Sequence, residues 1–302
     1  MLIDKKISDE MLSVIGDDSK IFTMNPEDRE DKYLKLSKLL NDEFGTSKKL
    51  DLLNTNGYLS LGQTMPKSSI DAIFSSLEGK DIFNGHVLCY AKEKMQFSTE
   101  MNLYDIPRTF GSDIANQTGI YSFNMYDLLQ IPEVLMACTN SALLELISNY
   151  LGCPPVLYSA NLMLSINDGS SEIQNAVNGF HRDYDDFKCV SHFIYLTDTE
   201  EDSGGHIYKT GTHNGNEDGE EAYLFGKAGS SFITDPYGFH RGVKPKPESF
   251  RALLWIRYGM YEHYIYREID QNHRFRVELD KLSDIIDITL PENQYLLRLI
   301  TK

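Results

Sequence analysis

Near residue 156 the apolar pattern of this chain changes its period, from about 3.6 residues to two. Upstream, helical spacing dominates. Asn25-Pro26 offers a cap and a first-turn proline, Tyr33, Leu36, Leu40 and Phe44 recur on one face, and Gly45 stops the run. Residues 57–61 read as a short strand. Ser68 then reads as the cap of a helix with the stripe Ile70, Ile73, Phe74 and Leu77. Pro132 to Leu151, broken near Asn140, predicts one or two helices ending at Gly152, with Val134, Leu135, Cys138, Leu144, Ile147 and Leu151 inward. Downstream, 156–166, 189–197, 206–209, 230–234 and 251–258 read as strands between Gly-, Asn- and Asp-rich turns. Short strands at this spacing bury their apolar faces by curling into a jelly roll. The expected fold class is therefore mixed α+β with a mainly β core, a double-stranded β-helix braced by helices. Residues 1–302 are expected to form one domain, with a helical extension over 1–55, the core over 56–258 and a covering segment over 259–302.

A formal net charge of −16 and a pI near 4.9 repel polyanions, so nucleic acid and anionic membranes are not expected partners. Cys89, Cys138, Cys153 and Cys189 lack any Cys-x-x-Cys or zinc spacing and read as buried free thiols of a reducing compartment. The first residues lack the apolar stretch of a signal peptide, and no run approaches 18 apolar residues, so a cytoplasmic location is expected. The apolar face of the leading helix packs on the core or on a second subunit, which leaves an oligomer open.

The chemistry-bearing residues gather around the strands. His181 and Asp183 lie two apart at the mouth of a strand-like run, and alternate residues of an extended chain point the same way. His240 follows 57 residues after Asp183 and completes a two-His, one-carboxylate set. Such a facial triad leaves open positions on the metal and suits non-heme Fe(II) oxygenases. Arg251, eleven residues beyond His240, opens a strand. On the 156–166 strand Asn161, Met163, Ser165 and Asn167 share one face, and Leu162, Leu164 and Ile166 share the other. Asp185 has the parity of a competing ligand, whereas Asp186 reads as a turn hydrogen-bonder. His206 and His213 sit in Gly-containing turns and read as structural or substrate-side groups. His192, between Val190 and Ile194, reads as a satisfied core histidine.

Phe180–Tyr195, Ser203–His213 and Asp235–Gly242 resemble the core of the phytanoyl-CoA dioxygenase-like family, with Asn56–Leu59 and Asn149–Gly152 resembling its entry strand and preceding helix end. The likeness covers most of residues 56–258. It implies a cupin-like jelly roll that binds Fe(II) through His181, Asp183 and His240 and the far carboxylate of 2-oxoglutarate through Arg251. Asn161 and Ser165 are candidate further cosubstrate contacts. Many relatives carry Ser or Thr where this chain has Gly242, so that hydroxyl must come from elsewhere. The expected reaction is hydroxylation of an unactivated C–H of a small polar metabolite by O2, with release of succinate and CO2. Segments 90–126 and 167–179 read as lids, with Tyr104, Arg108, Phe110 and Tyr121 as substrate contacts. Two other readings are a non-catalytic metal- or ligand-binding jelly roll and a cupin-type metal-dependent hydrolase or isomerase. Halogenation is disfavoured because Asp183 fills the position chloride needs.

Overall fold

The computed structural model describes residues 48–78, 80, 82–84, 96–97, 120–123, 125–166, 179–183, 186–201, 204–246, 250–260 and 277–301, with Asp28, Asp31 and Lys35. The rest of the leading helix, Asp185, Asn167 and the loop residues Tyr104, Arg108 and Phe110 lie outside this set, as does most of both predicted lids.

The described chain begins with α1 (Lys48–Asn56), β1 (Tyr58–Gln63) and α2 (Lys67–Leu77), followed by the short strands β2 (Ile82–Asn84), β3 (Gln96–Phe97) and β4 (Ile120–Phe123). Three helices come next: α3 (Met125–Leu129), α4 (Pro132–Cys138) and α5 (Ser141–Leu151). The strand-rich half holds β5 (Val156–Ile166), β6 (Cys189–Tyr195), β7 (His206–Lys209), β8 (Glu221–Leu224), β9 (Ser230–Thr234), β10 (His240–Gly242) and β11 (Phe250–Gly259). A 3-10 turn (Leu279–Leu282) and α6 (Pro291–Leu297) close the chain.

All strand pairs are antiparallel. The large sheet runs β1-β9-β6-β11-β5-β4-β2-β3, and the small one runs β10-β7-β8. Period-two alternation divides the large sheet into two buried faces. Leu162 and Leu164 of β5, Val190 and Ile194 of β6, and Ala252, Leu254 and Ile256 of β11 pack against the helices. Their neighbours Met163, Phe193, Tyr195, Phe232 and Leu253 form a second cluster with Tyr208 and Leu224 of the small sheet. Every residue of β6 is buried, because helices cover one side and the small sheet the other. The polar face of β5 does not look into water: Asn161 and Ser165 are buried, and β5 lies between β11 and β4.

The predicted stripe of α2 is buried in full, but Pro66 is its N-cap and Ser68 lies within its first turn. Pro at the helix start needs no partner for a missing N–H, which removes the role assigned to Ser68. Asn140 does cap α5, accepting from Leu143 N at 3.0 Å, and Gly152 ends it at φ 70°. Pro132–Leu151 is long and apolar enough by composition to cross a membrane, yet it breaks at this cap and its buried side belongs to the core. Residues 277–301 contribute Val277, Leu282, Leu296 and Leu297 to the same core. Cys138, Cys153 and Cys189 are free thiols, with Cys153 half-buried, and Cys89 lies outside the described residues.

Candidate metal centre

Backbone pairing brings the three sequence-predicted ligands together. His181 N donates to His240 O and His240 N to His181 O, both at 3.0 Å, so the two histidines form a reciprocal antiparallel bridge. Asp183 N donates to Pro236 O at 2.9 Å, tying the carboxylate's backbone to the turn that leads into β10. His181 Nε2 lies 3.7 Å from Asp183 Oδ1, and His240 Nε2 lies 3.7 Å from Asp183 Oδ2. One ligand atom from each residue lies within 4.8 Å of the others. These gaps exceed a hydrogen bond but match donors that share one ion at about 2 Å each.

The ring tautomers suit that role. His181 Nδ1 meets Gly179 O and His240 Nδ1 meets Gly238 O, each at 2.9 Å. A carbonyl only accepts, so both Nδ1 atoms carry the proton and both Nε2 lone pairs face Asp183. His240 is buried, whereas His181 and Asp183 are half-buried, so the group opens on one side. His206 stacks on His240 with ring centroids 5.3 Å apart at 15°, and its Nε2 has no partner among the described residues. Burial holds the His206 imidazole well below its usual pKa, with His240, Arg251 and His181 adding to the effect. A neutral imidazole beside a cation adds no repulsion.

Arg251, on β11 of the large sheet, is half-buried. Its Nη1 donates to Gly204 O at 2.6 Å and its Nη2 to Ser165 Oγ at 3.0 Å, while Nε has no partner among the described residues. Two of five N–H donors are used, so the fork keeps capacity for an anion. A Cβ on Gly242 would sit 3.8 and 3.9 Å from the two terminal nitrogens. Gly242 is thus the close neighbour of the guanidinium, two residues or about 7 Å along the strand from His240. Ser165 pairs in register with Arg251, so a hydroxyl sits against the guanidinium. Asn161 is four residues away, opposite Trp255, with its Nδ2 buried and unpartnered among the described residues. The two polar residues of β5 therefore face different neighbours, Ser165 the guanidinium and Asn161 the indole. Trp255 stacks on Phe193, which contacts the His206 ring.

Comparison with known proteins gives the fold. No protein-family model and no curated protein matches the sequence. Among solved structures, the chain is similar to the non-heme alpha ketoglutarate dependent epimerase SnoN from nogalamycin biosynthesis, with a TM-score of 0.50 and 12% identity over 70% of this chain and 81% of that one. It is also similar to HygX from Streptomyces hygroscopicus with nickel and 2-oxoglutarate bound, at a TM-score of 0.48 and 14% identity over 71% and 87% of the two chains. SnoK, a non-heme alpha ketoglutarate dependent carbocyclase, follows at 0.46 and 11% over 70% and 83%. The SnoN likeness shows a shared fold.

Two residues near the triad escaped the sequence reading. Arg182, between two proposed ligands, points away from them and donates to Thr212 O and Tyr237 O, each at 2.7 Å, with its guanidinium 4.0 Å over the Phe239 ring. Asp235 is fully buried, accepts from Tyr150 Oη at 2.6 Å and Tyr237 N at 2.9 Å, and its carbonyl accepts from Tyr208 Oη at 2.8 Å. Both fix the Asp235–His240 turn. The expected turn role of Asp186 is borne out by bonds from Phe187 N and Met260 N at 2.7 and 2.8 Å. His213 is structural, with Nε2 3.0 Å from Asn54 O. His192 is a correction: it is buried in the core, but neither ring nitrogen has a partner among the described residues.

Proposed function

We propose that this protein is an Fe(II)- and 2-oxoglutarate-dependent oxygenase that hydroxylates a C–H bond of a small polar metabolite. One observation carries the reading: a His-Asp-His set with both Nε2 lone pairs converging lies one short strand, β10, from a half-buried arginine with unused donors. The fold shared with SnoN, whose description is a non-heme alpha ketoglutarate dependent epimerase, supports the cofactor class.

Iron bound with 2-oxoglutarate supplies the oxidising power to cleave an unactivated C–H, with succinate and CO2 as coproducts. The chain's own residues do the rest. His181, Asp183 and His240 hold the ion on one side, and Arg251 with Ser165 takes the distal carboxylate. Phe193, Phe232 and Trp255 keep this inner space apolar, and Asn161 holds an unused amide donor opposite Trp255. The acidic surface argues against a polyphosphate carrier on the substrate.

Anaerobic titration with Fe(II) and then 2-oxoglutarate tests the site. A visible charge-transfer band should develop in the wild type and be absent from His181→Ala, Asp183→Ala and His240→Ala, each with an unchanged far-UV circular dichroism spectrum. Succinate release and isotopic oxygen incorporation over metabolite pools then test hydroxylation; substrate-dependent succinate without label in product would replace it with another oxidative outcome. A band that persists in all three variants would sink the metal assignment.

A further inference from the structure

Two of the three ligand residues lean on one turn. Asp183 N donates to Pro236 O at 2.9 Å, and His240 Nδ1 meets Gly238 O at 2.9 Å. Whatever holds Asp235–Gly238 therefore holds donor atoms from two separate segments. The first residue of the turn is itself held from several sides. Asp235 N donates to Gly57 O at 2.7 Å, its carbonyl accepts from Tyr208 Oη at 2.8 Å, and its carboxylate accepts from Tyr150 Oη at 2.6 Å and Tyr237 N at 2.9 Å. Both carboxylate oxygens accept, the pattern of the ionised form.

A fully buried carboxylate needs a countercharge, and one lies behind the phenol. Lys188, only 1% exposed, places Nζ 3.9 Å from the centroid of the Tyr150 ring. Tyr150 thus meets a cation on its face and a carboxylate at its hydroxyl. The two contacts reinforce each other: the ammonium is drawn to the negative face of the ring, and the polarised phenol becomes a stronger O–H donor. Burial lowers the lysine to about 8, with Asp235 opposing the shift, so the ammonium is mainly protonated at pH 7. The three residues come from different places in the fold. Tyr150 is in the last turn of α5, Lys188 lies five residues beyond Asp183, and Asp235 directly follows β9.

We propose that Lys188, Tyr150 and Asp235 are positioning residues: a buried ammonium–phenol–carboxylate chain that fixes the turn from which Asp183 and His240 are hung. All three act through the Pro236 and Gly238 carbonyls. The consequence for metal binding rests on the iron reading above, but the chain itself is tested without metal.

Full-length 15N-labelled protein in EDTA is followed by NMR of its imidazole nitrogens and by amide hydrogen exchange. Wild type should hold His240 in the Nδ1–H tautomer. Tyr150→Phe keeps the ring against Lys188 and removes only the O–H. His240 should then move towards a mixture of tautomers, and the Asp183 amide should exchange about tenfold faster, the loss of roughly one hydrogen bond. His181 is the internal reference, because its Nδ1 bonds Gly179 O outside the turn. Lys188→Met should act in the same sense, and Tyr150→Phe carries the test if that variant fails to fold. Tyr258→Phe also loses one buried phenol bond, to Cys138 O at 2.9 Å, and should leave His240 and Asp183 as in wild type. His240 and Asp183 unchanged in Tyr150→Phe or in folded Lys188→Met, or changed equally in Tyr258→Phe, overturns the proposal. Co(II) affinity, measured separately, should fall about tenfold in Tyr150→Phe; equal affinity in wild type and variant overturns the positioning role. A wild type that binds no Co(II) overturns the metal reading instead, and the metal-free spectra still decide the chain.

Discussion

At the scale of single residues, Arg251 separates charge from geometry. Arg251→Lys keeps a cation but loses the planar fork that reaches Gly204 O and Ser165 Oγ together. We expect 2-oxoglutarate affinity to fall by about 1–3 kcal/mol while Fe(II) affinity stays unchanged, measured as dissociation constants at fixed partner concentration. Equal 2-oxoglutarate affinity in both proteins would make Arg251 a structural strand residue. His181, Asp183, His240 and Arg251 were legible in the sequence because parity along a strand and an offset of eleven are one-dimensional signals. Arg182 was not, since its partners Thr212 and Tyr237 lie 30 and 55 residues away and no spacing marks them. Arg182→Met should leave the triad's donors intact yet loosen the segments that carry them. Weaker Fe(II) retention on gel filtration, with a modest drop in melting temperature, is the expected result; unchanged retention would confine Arg182 to surface packing.

At the scale of elements, the turn from Asp235 to His240 positions more of the site than any strand. A Cβ on Gly238 would lie 1.9 Å from Tyr208 Oη, and Tyr208 is fully buried and bonded to Asp235 O. Gly238→Ala therefore has to push either the turn or the tyrosine. Overpacking of this kind costs about 1–3 kcal/mol. Urea unfolding should register that loss, and Fe(II) affinity should fall with it because His240 Nδ1 bonds Gly238 O. A variant as stable as wild type would show that Tyr208 yields freely. The long strands and the break at Asn140 were readable from period and capping. β10 and β8 were not: β10 has three residues, too few for a period, and in β8 only Leu224 is buried. Their pairing with β7 makes them strands, and that is a tertiary fact.

At the scale of the whole molecule, buried imidazoles tie stability to pH. Burial lowers both His192 and His213 to about 4 against an ordinary value of 6.5. Between these values the unfolded chain binds protons that the folded chain refuses, so stability is complete above about 6.5 and falls as pH drops towards 4. The loss is at most about 3 kcal/mol per histidine. Urea midpoints at pH 7 and pH 5 should differ in this direction; equal midpoints would mean the two rings accept protons in place. The same global view bears on the bridge between His181 and His240. Their backbones close on each other through two hydrogen bonds in which no side chain takes part. The rings are thus seated by the chain itself, and on the proposed reading iron would enter a finished socket instead of folding one around it. Chelation should then be a mild, reversible operation. Protein stripped with EDTA is expected to keep its far-UV spectrum, to lose only the melting-temperature increment due to ligand binding, and to accept nickel, cobalt or zinc by simple dialysis. Such a protein can persist unloaded and intact, and its metal content would then report local supply more than its own biogenesis.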